Sequence, residues 1–167
     1  MKLKSILSTT LVASLLLSCG RTGKNDQTDF NGNWAFHIVE DTLNYHIDYS
    51  ATDFETDSWE NVRLPHTANI EPLVVNDQWQ GICWYHKTFD ISNFSKEKKY
   101  FIEFEGAMNV IDIWINDKHL KKDMGGYLPV AADITDYVKE KDNTIRVRLD
   151  NRDNPTTGPK PLKILDF

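Results

Sequence analysis

Carboxylates are the side chains of this sequence best suited to acid–base chemistry. The chain has 25 Asp and Glu residues, and two carboxyls held close together can act as a general acid and a base or nucleophile. The candidate carboxylates are Glu55, Asp57, Glu60, Glu103, Glu105, Asp112 and Asp133. They fall in turns or at outward positions of alternating strand patterns. We therefore expect solvated acidic surface there, and no catalytic residue in this chain.

Histidine and cysteine offer little further chemistry. The histidines are His37, His46, His66, His86 and His119, and their spacing is not that of metal ligands. Cys83 lies in an apolar stretch beside Trp84, which predicts a buried, inert thiol. His86 is three residues away and so points to the opposite face of a strand, where it cannot activate that thiol. We expect no metal site and no cofactor.

The N-terminus has the pattern of an export signal. Lys2 and Lys4 form a basic start, and Ile6–Leu17 is an apolar run too short to span a bilayer. Ser18-Cys19 follows and resembles a bacterial lipobox, which implies lipidation of Cys19 and a membrane-anchored, periplasmic or cell-surface lipoprotein. An ordinary cleaved signal peptide that contains a cysteine is the alternative.

Composition favours one exported domain after this leader. Residues 1–18 are the predicted signal peptide, residues 19–29 a polar flexible tether, and residues 30–167 a β-sandwich. Hydrophobic residues make up 40% of the chain and aromatic residues 11%, which is enough for a packed core. The net charge is −6 and no stripe of Lys and Arg occurs, so nucleic acid is not an expected partner.

The elements that must position these side chains read as short antiparallel strands, because apolar and polar residues alternate with a period of two. The candidate strands are Trp34–Val39, Trp59–Leu64, Trp84–Phe89, Tyr100–Glu105, Val110–Ile115 and Ile145–Asp150. Turns are expected at Asn116-Asp117, Gly125-Gly126 and Asp142-Asn143, and a helical turn at Asp136–Glu140. Trp34, Trp59 and Trp84 should lie in the core, whereas Trp79 is the tryptophan to test for exposure. This pattern predicts an all-β antiparallel sandwich.

Six short motifs follow one another in a fixed order between residues 59 and 151. They are W-x-x-V-x-L-P-H (59–66), G-x-x-W-Y-x-K-x-F (81–89), F-E-G-A (104–107), I-W-I-N (113–116), G-G-Y-x-P-x-x-x-D-I-T (125–135) and V-R-L-D-N (147–151). Together they resemble the N-terminal sugar-binding jelly-roll domain of glycoside hydrolase family 2, which includes β-galactosidases, β-glucuronidases and β-mannosidases. The resemblance covers roughly Phe30 to Pro161.

The resemblance implies a jelly roll that carries no catalytic machinery. Retaining glycosidases use two carboxyls about 5–5.5 Å apart, and in family 2 both are glutamates of a downstream barrel, one of them following an Asn. This sequence has no Asn-Glu dipeptide. The chain is therefore expected to be inactive alone, with the missing barrel and carbohydrate as its possible partners.

Two details of the resemblance concern individual residues. In some β-galactosidases the loop after the V-x-V-x-x-N strand lends an acidic side chain to the active-site pocket. By position, Asp153 is the match and Asn151 the neighbouring candidate for substrate contact, with an ordinary surface loop as the alternative. His86 replaces an Arg of most relatives, and His66 is expected to make a structural hydrogen bond.

The end of the sequence leaves three functions open. The Pro-rich stretch Asn154–Pro161 reads as a loop, and the chain ends at Phe167 before the family's closing strand. We expect that an unpaired sheet edge would make such a domain marginally stable or prone to aggregation. The three hypotheses are a non-catalytic module of a family 2 glycosidase, a stand-alone carbohydrate-binding lipoprotein, and a structural or interaction sandwich.

Overall fold

A computed structural model describes residues 26–44, 46–51, 55–70 and 79–152. The chain divides into two compact units, Met1–Phe30 and Asn31–Phe167, and all the described strands belong to the second. The predicted leader and the predicted lipidation at Cys19 lie outside the described residues. Among the residues that are described, no helical segment has the length and apolar character needed to cross a membrane.

Eight strands and one short 3-10 turn make up the described structure. The strands are β1 (Trp34–Val39), β2 (Glu60–Val62), β3 (Ile82–Phe89), β4 (Phe101–Phe104), β5 (Asn109–Ile115), β6 (Lys118–Gly125), β7 (Val130–Asp133) and β8 (Asn143–Asp150). The 3-10 turn is Thr42–Asn44. The bounds of β1 are those expected from the sequence, and five other strands overlap their predicted ranges.

The strands form two antiparallel sheets, which confirms the predicted jelly-roll sandwich. The larger sheet has six strands in the order β2-β1-β3-β8-β5-β6, and the smaller sheet pairs β4 with β7. Strand β8 lies in the middle of the larger sheet, in register with β3 on one side and β5 on the other. In the sheet, β3 and β5 are therefore separated by β8, the last of the described strands in the sequence.

One face of the larger sheet, called the inner face below, packs against the smaller sheet. Trp34 on this face lies with its ring centroid 6.4 Å from that of Phe104 in β4. The isoleucines of β5 on the same face are fully buried, and they alternate with outer-face residues as the period of two predicts. Branched aliphatic side chains of this kind favour extended backbone and pack well on a pleated sheet.

The outer face of the larger sheet is also largely buried. The segment between β1 and β2 lays Tyr49 and Trp59 over Trp84, and this cluster includes Val39 and Ile82. The buried guanidinium of Arg146 donates a hydrogen bond to the Tyr49 backbone oxygen at 2.7 Å. The predicted core positions of the three tryptophans are confirmed, since Trp34, Trp59 and Trp84 are all buried.

The turns follow from residues that tolerate positive φ. Asn116 and Asp117 have φ values of 48° and 65° and join β5 to β6, as a tight hairpin requires. Asp142, with φ of 54°, precedes β8. The prediction of a helical turn at 136–140 was wrong, because residues 135–137 form a turn that is not helical. Strand β7 was not predicted, since its sequence Val-Ala-Ala-Asp has too few branched or aromatic residues to signal a strand.

Candidate functional site

The candidate site is the end of the sandwich where β3 and β5 begin and β8 ends. Asn151, directly after β8, holds the approach to β3 through its side chain. Its Oδ1 accepts a hydrogen bond from the Gly81 amide at 2.7 Å, and its Nδ2 donates to the Trp79 backbone oxygen at 2.8 Å. The Asn151 amide also donates to the Gly81 oxygen at 3.1 Å. We call these contacts the Asn151 clasp.

The predicted substrate contacts meet this clasp in different ways. Asp153 lies outside the described residues, so its role stays a prediction. Asn151 has both polar atoms of its amide engaged within the protein, which makes it a residue that positions two chain segments. Whether Asn151 also contacts substrate stays a prediction. The clasp places Asn151 beside Trp79 and Gly81.

Trp79 is half-buried in the structure because its ring lies over Gly81. A Cβ atom added at Gly81 would come within 2.5 Å of the Trp79 ring, so a side chain at this position would require the indole to move. The neighbouring Gln80 is exposed. The side chain that sequence reasoning singled out for exposure is thus partly used in holding the turn before β3.

A row of charged side chains runs along the outer face towards the same end. Asp150 pairs with Arg152 at 2.7 Å and with Arg148 at 2.9 Å. Arg148 also reaches Asp112 of β5 at 3.5 Å. The Asp112 carboxylate also lies 3.0 Å from the His119 Nε2 and 3.7 Å from the Lys122 Nζ. We call these six residues the charge row; five of them lie in β5, β6 and β8, and Arg152 follows the end of β8.

The position of Asp112 corrects the expectation of a solvated acidic face. Asp112 is only 7% exposed, because its outward position in β5 lies between the long cationic side chains of β6 and β8. A buried carboxylate is stable when cations and hydrogen bonds satisfy it. The alternation identified the correct face of the strand, but it did not show that neighbouring strands cover that face.

Where the pKa of a described carboxyl is shifted, it is lowered, which is the opposite of what a general acid requires. Burial raises the pKa of Asp150, but hydrogen bonds from Arg152 and the charges of both arginines outweigh it and leave the pKa below the ordinary value. The pKa of Asp133 is lowered by its hydrogen bonds with Thr135. A glycosidase acid needs a raised pKa, and neither of these groups has one.

Other residues considered in the sequence have structural positions. Cys83 is buried on the inner face, and burial raises the pKa of its thiol to about 12, so it stays protonated and unreactive. His66 Nδ1 lies 3.1 Å from the Tyr85 hydroxyl, which confirms the expected structural hydrogen bond. Within the described residues, no three His, Cys, Asp or Glu side chains gather closely enough to hold a metal ion.

Sequence reasoning missed a groove beside the Gly125-Gly126 turn. The groove has a volume of about 280 Å³, its floor includes Ile111, and Met124, Tyr127 and Leu128 line it. Tyr127 and Leu128 are 74% and 77% exposed. The G-G-Y-x-P motif was a signal for this feature, because a double glycine followed by an aromatic residue can present that ring on a turn.

Comparison with known proteins gives this fold a family. Residues 27–156 match the model of the glycosyl hydrolases family 2 sugar binding domain. The chain belongs to glycoside hydrolase family 2. A candidate beta-glucuronidase of Formosa agariphila is 37% identical to this family 2 domain over 139 residues, covering 78% of the chain. A beta-galactosidase of Thermoanaerobacter pseudethanolicus is 33% identical, covering 81% of the chain.

The structural comparison agrees with the family and limits what it implies. The family 2 domain superposes on the crystal structure of a Bacteroides uniformis beta-glucuronidase with a TM-score of 0.67, at 26% identity over 78% of the chain. It spans only 15% of that structure, 13% of the Formosa protein and 18% of the Thermoanaerobacter protein. The match therefore concerns one domain of much longer proteins.

Proposed function

We propose that this chain is the N-terminal, non-catalytic module of a family 2 β-glycosidase of the β-galactosidase or β-glucuronidase type. The observation that carries the proposal is the family match over residues 27–156 together with the small share of each glycosidase that the chain spans. The described carboxyls agree with this role, since Asp112 and Asp150 are paired with cations on a sheet face.

In this proposal the domain acts beside a catalytic barrel that other sequence supplies. The Asn151 clasp joins the turn before β3 to the residue that follows β8, so both are held at one end of the sandwich. That end is the part of the surface through which the module would help to shape a sugar pocket. Asp153 is the residue expected to reach sugar hydroxyls through charge-assisted hydrogen bonds.

The test combines the chain alone with a chimera. The purified chain should not hydrolyse nitrophenyl β-galactoside or nitrophenyl β-glucuronide. In the chimera, residues 27–156 of this chain replace the matching part of the Formosa agariphila relative, and the product should be a folded enzyme with glycosidase activity. The same relative with that part deleted should have no activity. Hydrolysis by the chain alone, or a folded chimera without activity, would contradict the proposal.

A second candidate function is carbohydrate binding by the domain alone. The groove beside Gly125-Gly126 favours it, because Tyr127 is exposed and a flat aromatic face can stack on a sugar ring. Titration with galactose and glucuronate, followed by protein NMR, tests this function. Saturable shifts at Tyr127 that disappear in Tyr127→Ala favour autonomous binding, and their absence leaves the non-catalytic module as the function.

We also propose that the protein is an exported lipoprotein anchored at Cys19, either in the periplasm or on the cell surface. The basic start, the apolar run and Ser18-Cys19 support this localisation. Two or more acyl chains, each CH₂ contributing about 0.8 kcal/mol, are enough for stable anchoring. In a bacterial host, labelling with an alkyne-tagged fatty acid should mark the wild-type chain and not Cys19→Ala; equal labelling would contradict the anchor.

A further inference from the structure

Four apolar side chains gather around the Gly125-Gly126 turn and are largely open to solvent in this domain. They are Met108, Met124, Tyr127 and Leu128, which are between 49% and 77% exposed. The last three line the groove beside the turn. Met108 lies against the turn itself, because a Cβ atom added at Gly126 would be 3.3 Å from the Met108 Cγ. We call these four residues the apolar patch.

The composition of the apolar patch favours a protein surface over a sugar as its occupant. Leu and Met side chains have no flat face on which a sugar ring can stack, and a small-molecule site needs several convergent polar groups. Among the described residues that line the groove, Asp123 is the charged one, and its carboxylate already pairs with the Lys121 Nζ at 3.0 Å and accepts the Met124 amide at 2.8 Å. Exposed clusters that combine methionine with an aromatic side chain are typical of protein interfaces.

The apolar patch lies at the end of the sandwich where the described chain leaves β8. Asn109, which follows Met108, is in register with Gly125. The Asn109 Nδ2 lies 3.5 Å from the backbone oxygen of Asn151, the residue that follows β8. The patch is therefore continuous with the Asn151 clasp, and the chain leaves its last described strand beside it.

We propose that the apolar patch is the surface on which the catalytic part of the glycosidase packs against this domain. The inference rests on the proposed function, in which other sequence supplies that part. The chain spans 13% of the Formosa protein and 18% of the Thermoanaerobacter protein, so most of each relative is available to cover the patch. Packing at the patch places the catalytic part next to the Asn151 clasp, at the end of the sandwich that holds the candidate site.

Hydroxyl-radical labelling, read by mass spectrometry, compares the patch in two proteins. In the purified chain the four patch residues should be oxidised readily, because their side chains are exposed. In the chimera that carries residues 27–156 of this chain in the Formosa agariphila relative, labelling of the patch should fall several-fold. Tyr137 is the reference, since its backbone oxygen accepts a hydrogen bond from Asn116 at the opposite end of the sandwich. Its labelling should be equal in the two proteins.

Leu128→Glu tests whether the patch is needed for packing. A glutamate that loses water in an apolar interface without a partner is costly, so this variant should restore the labelling of the patch in the chimera and lower the melting temperature of the chimera. It should leave the melting temperature of the chain alone unchanged, because Leu128 is exposed there. Ser92→Glu is the matched control, since it adds the same charge at an exposed residue after β3, at the opposite end, and it should change neither protein.

The labelling pattern decides this inference separately from the proposed function, which is decided by the activity of the chimera. An active chimera whose patch is labelled as strongly as in the chain alone would overturn the inference and leave the proposed function in place. Protection of the patch in the chain alone, either by added galactose or glucuronate or with rising protein concentration, would also overturn it. A sugar or a second copy of the chain would then be the occupant.

Discussion

At the scale of single residues, buried polar groups connect parts of the chain that are distant in sequence. Asn143 and Arg146 are almost fully buried in β8, and His86 of β3 lies next to Arg146 in register. Burial of such groups is costly unless hydrogen bonds replace those to water. In His86, the buried Nδ1 has no hydrogen-bond partner in the described structure.

The first residue-scale prediction concerns acid stability. Burial and, after it, the positive charge of the neighbouring Arg146 lower the pKa of His86 from 6.5 to about 4. Between pH 6.5 and 4, His86 is therefore protonated in the unfolded chain and neutral in the folded chain. The free energy of unfolding should fall as the pH drops through this range. Urea unfolding at several pH values measures this dependence.

His86→Phe is the variant that tests the cause, because it keeps a flat ring and removes the titrating group. Its stability should depend less steeply on pH between 6.5 and 4 than that of the wild type. Burial also lowers the pKa of His37, which should leave some dependence in the variant. Identical slopes for the two proteins would show that another group is responsible.

The second residue-scale prediction concerns the Asn151 clasp. Asn151→Ala removes two side-chain hydrogen bonds to backbone groups and should lower the free energy of unfolding by about 1–2 kcal/mol without any sugar present. Trp79 fluorescence should change as well, since its backbone loses a partner. Gln80→Ala, at an exposed neighbour, is the control. A stability equal to that of the wild type would mean that the clasp is not a structural contact in solution.

At the scale of elements, β8 is the strand on which the larger sheet depends. It pairs along its length with β3 and β5, and each of its ends is held by an asparagine side chain. The Asn143 Oδ1 accepts hydrogen bonds from the Lys139 amide at 2.8 Å and from the Asn116 Nδ2 at 3.1 Å. Because Asn116 forms the β5–β6 turn, Asn143 ties that hairpin to the start of β8.

The element-scale prediction follows from this contact. Asn143→Ala leaves the partners of a fully buried amide without hydrogen bonds and should lower the free energy of unfolding by about 1–3 kcal/mol. Asn61→Ala, at an exposed position of β2, should change it by less than about 0.5 kcal/mol. Urea denaturation of both variants gives the comparison. Equal effects would refute the role of Asn143 as a tie between elements.

At the scale of the whole molecule, the larger sheet is covered on both faces. The smaller sheet covers the inner face, and the segment that carries Tyr49 and Trp59 covers part of the outer face. Trp59 stacks on His37 with ring centroids 5.2 Å apart and an interplanar angle of 17°. The domain therefore has a second hydrophobic cluster in addition to the core between the sheets.

The whole-molecule prediction tests this second cluster. Trp59→Ala should cost about 3–5 kcal/mol, as other large-to-small changes of buried aromatic residues do, and should increase the binding of a hydrophobic dye. Tyr127→Ala changes an aromatic residue that is 74% exposed and should have little effect on stability. Thermal melts and dye fluorescence measure both. A Trp59→Ala protein as stable as the wild type would mean that the outer cluster contributes nothing.

The sequence by itself determined the features that depend on neighbouring residues. The bounds of β1 and the turn at Asn116-Asp117 were both predicted. Each rests on a period of two or on a backbone preference that operates over a few residues. The order of six motifs likewise predicted the family, because a motif string is itself a property of the sequence.

Only the tertiary structure decided which surfaces are covered and which polar groups meet. Asn151 contacts Trp79 from 72 positions away, and Asp112 is buried by cations of β6 and β8. Alternation along one strand tells which residues share a face, but the order of strands in the sheet determines what lies against that face.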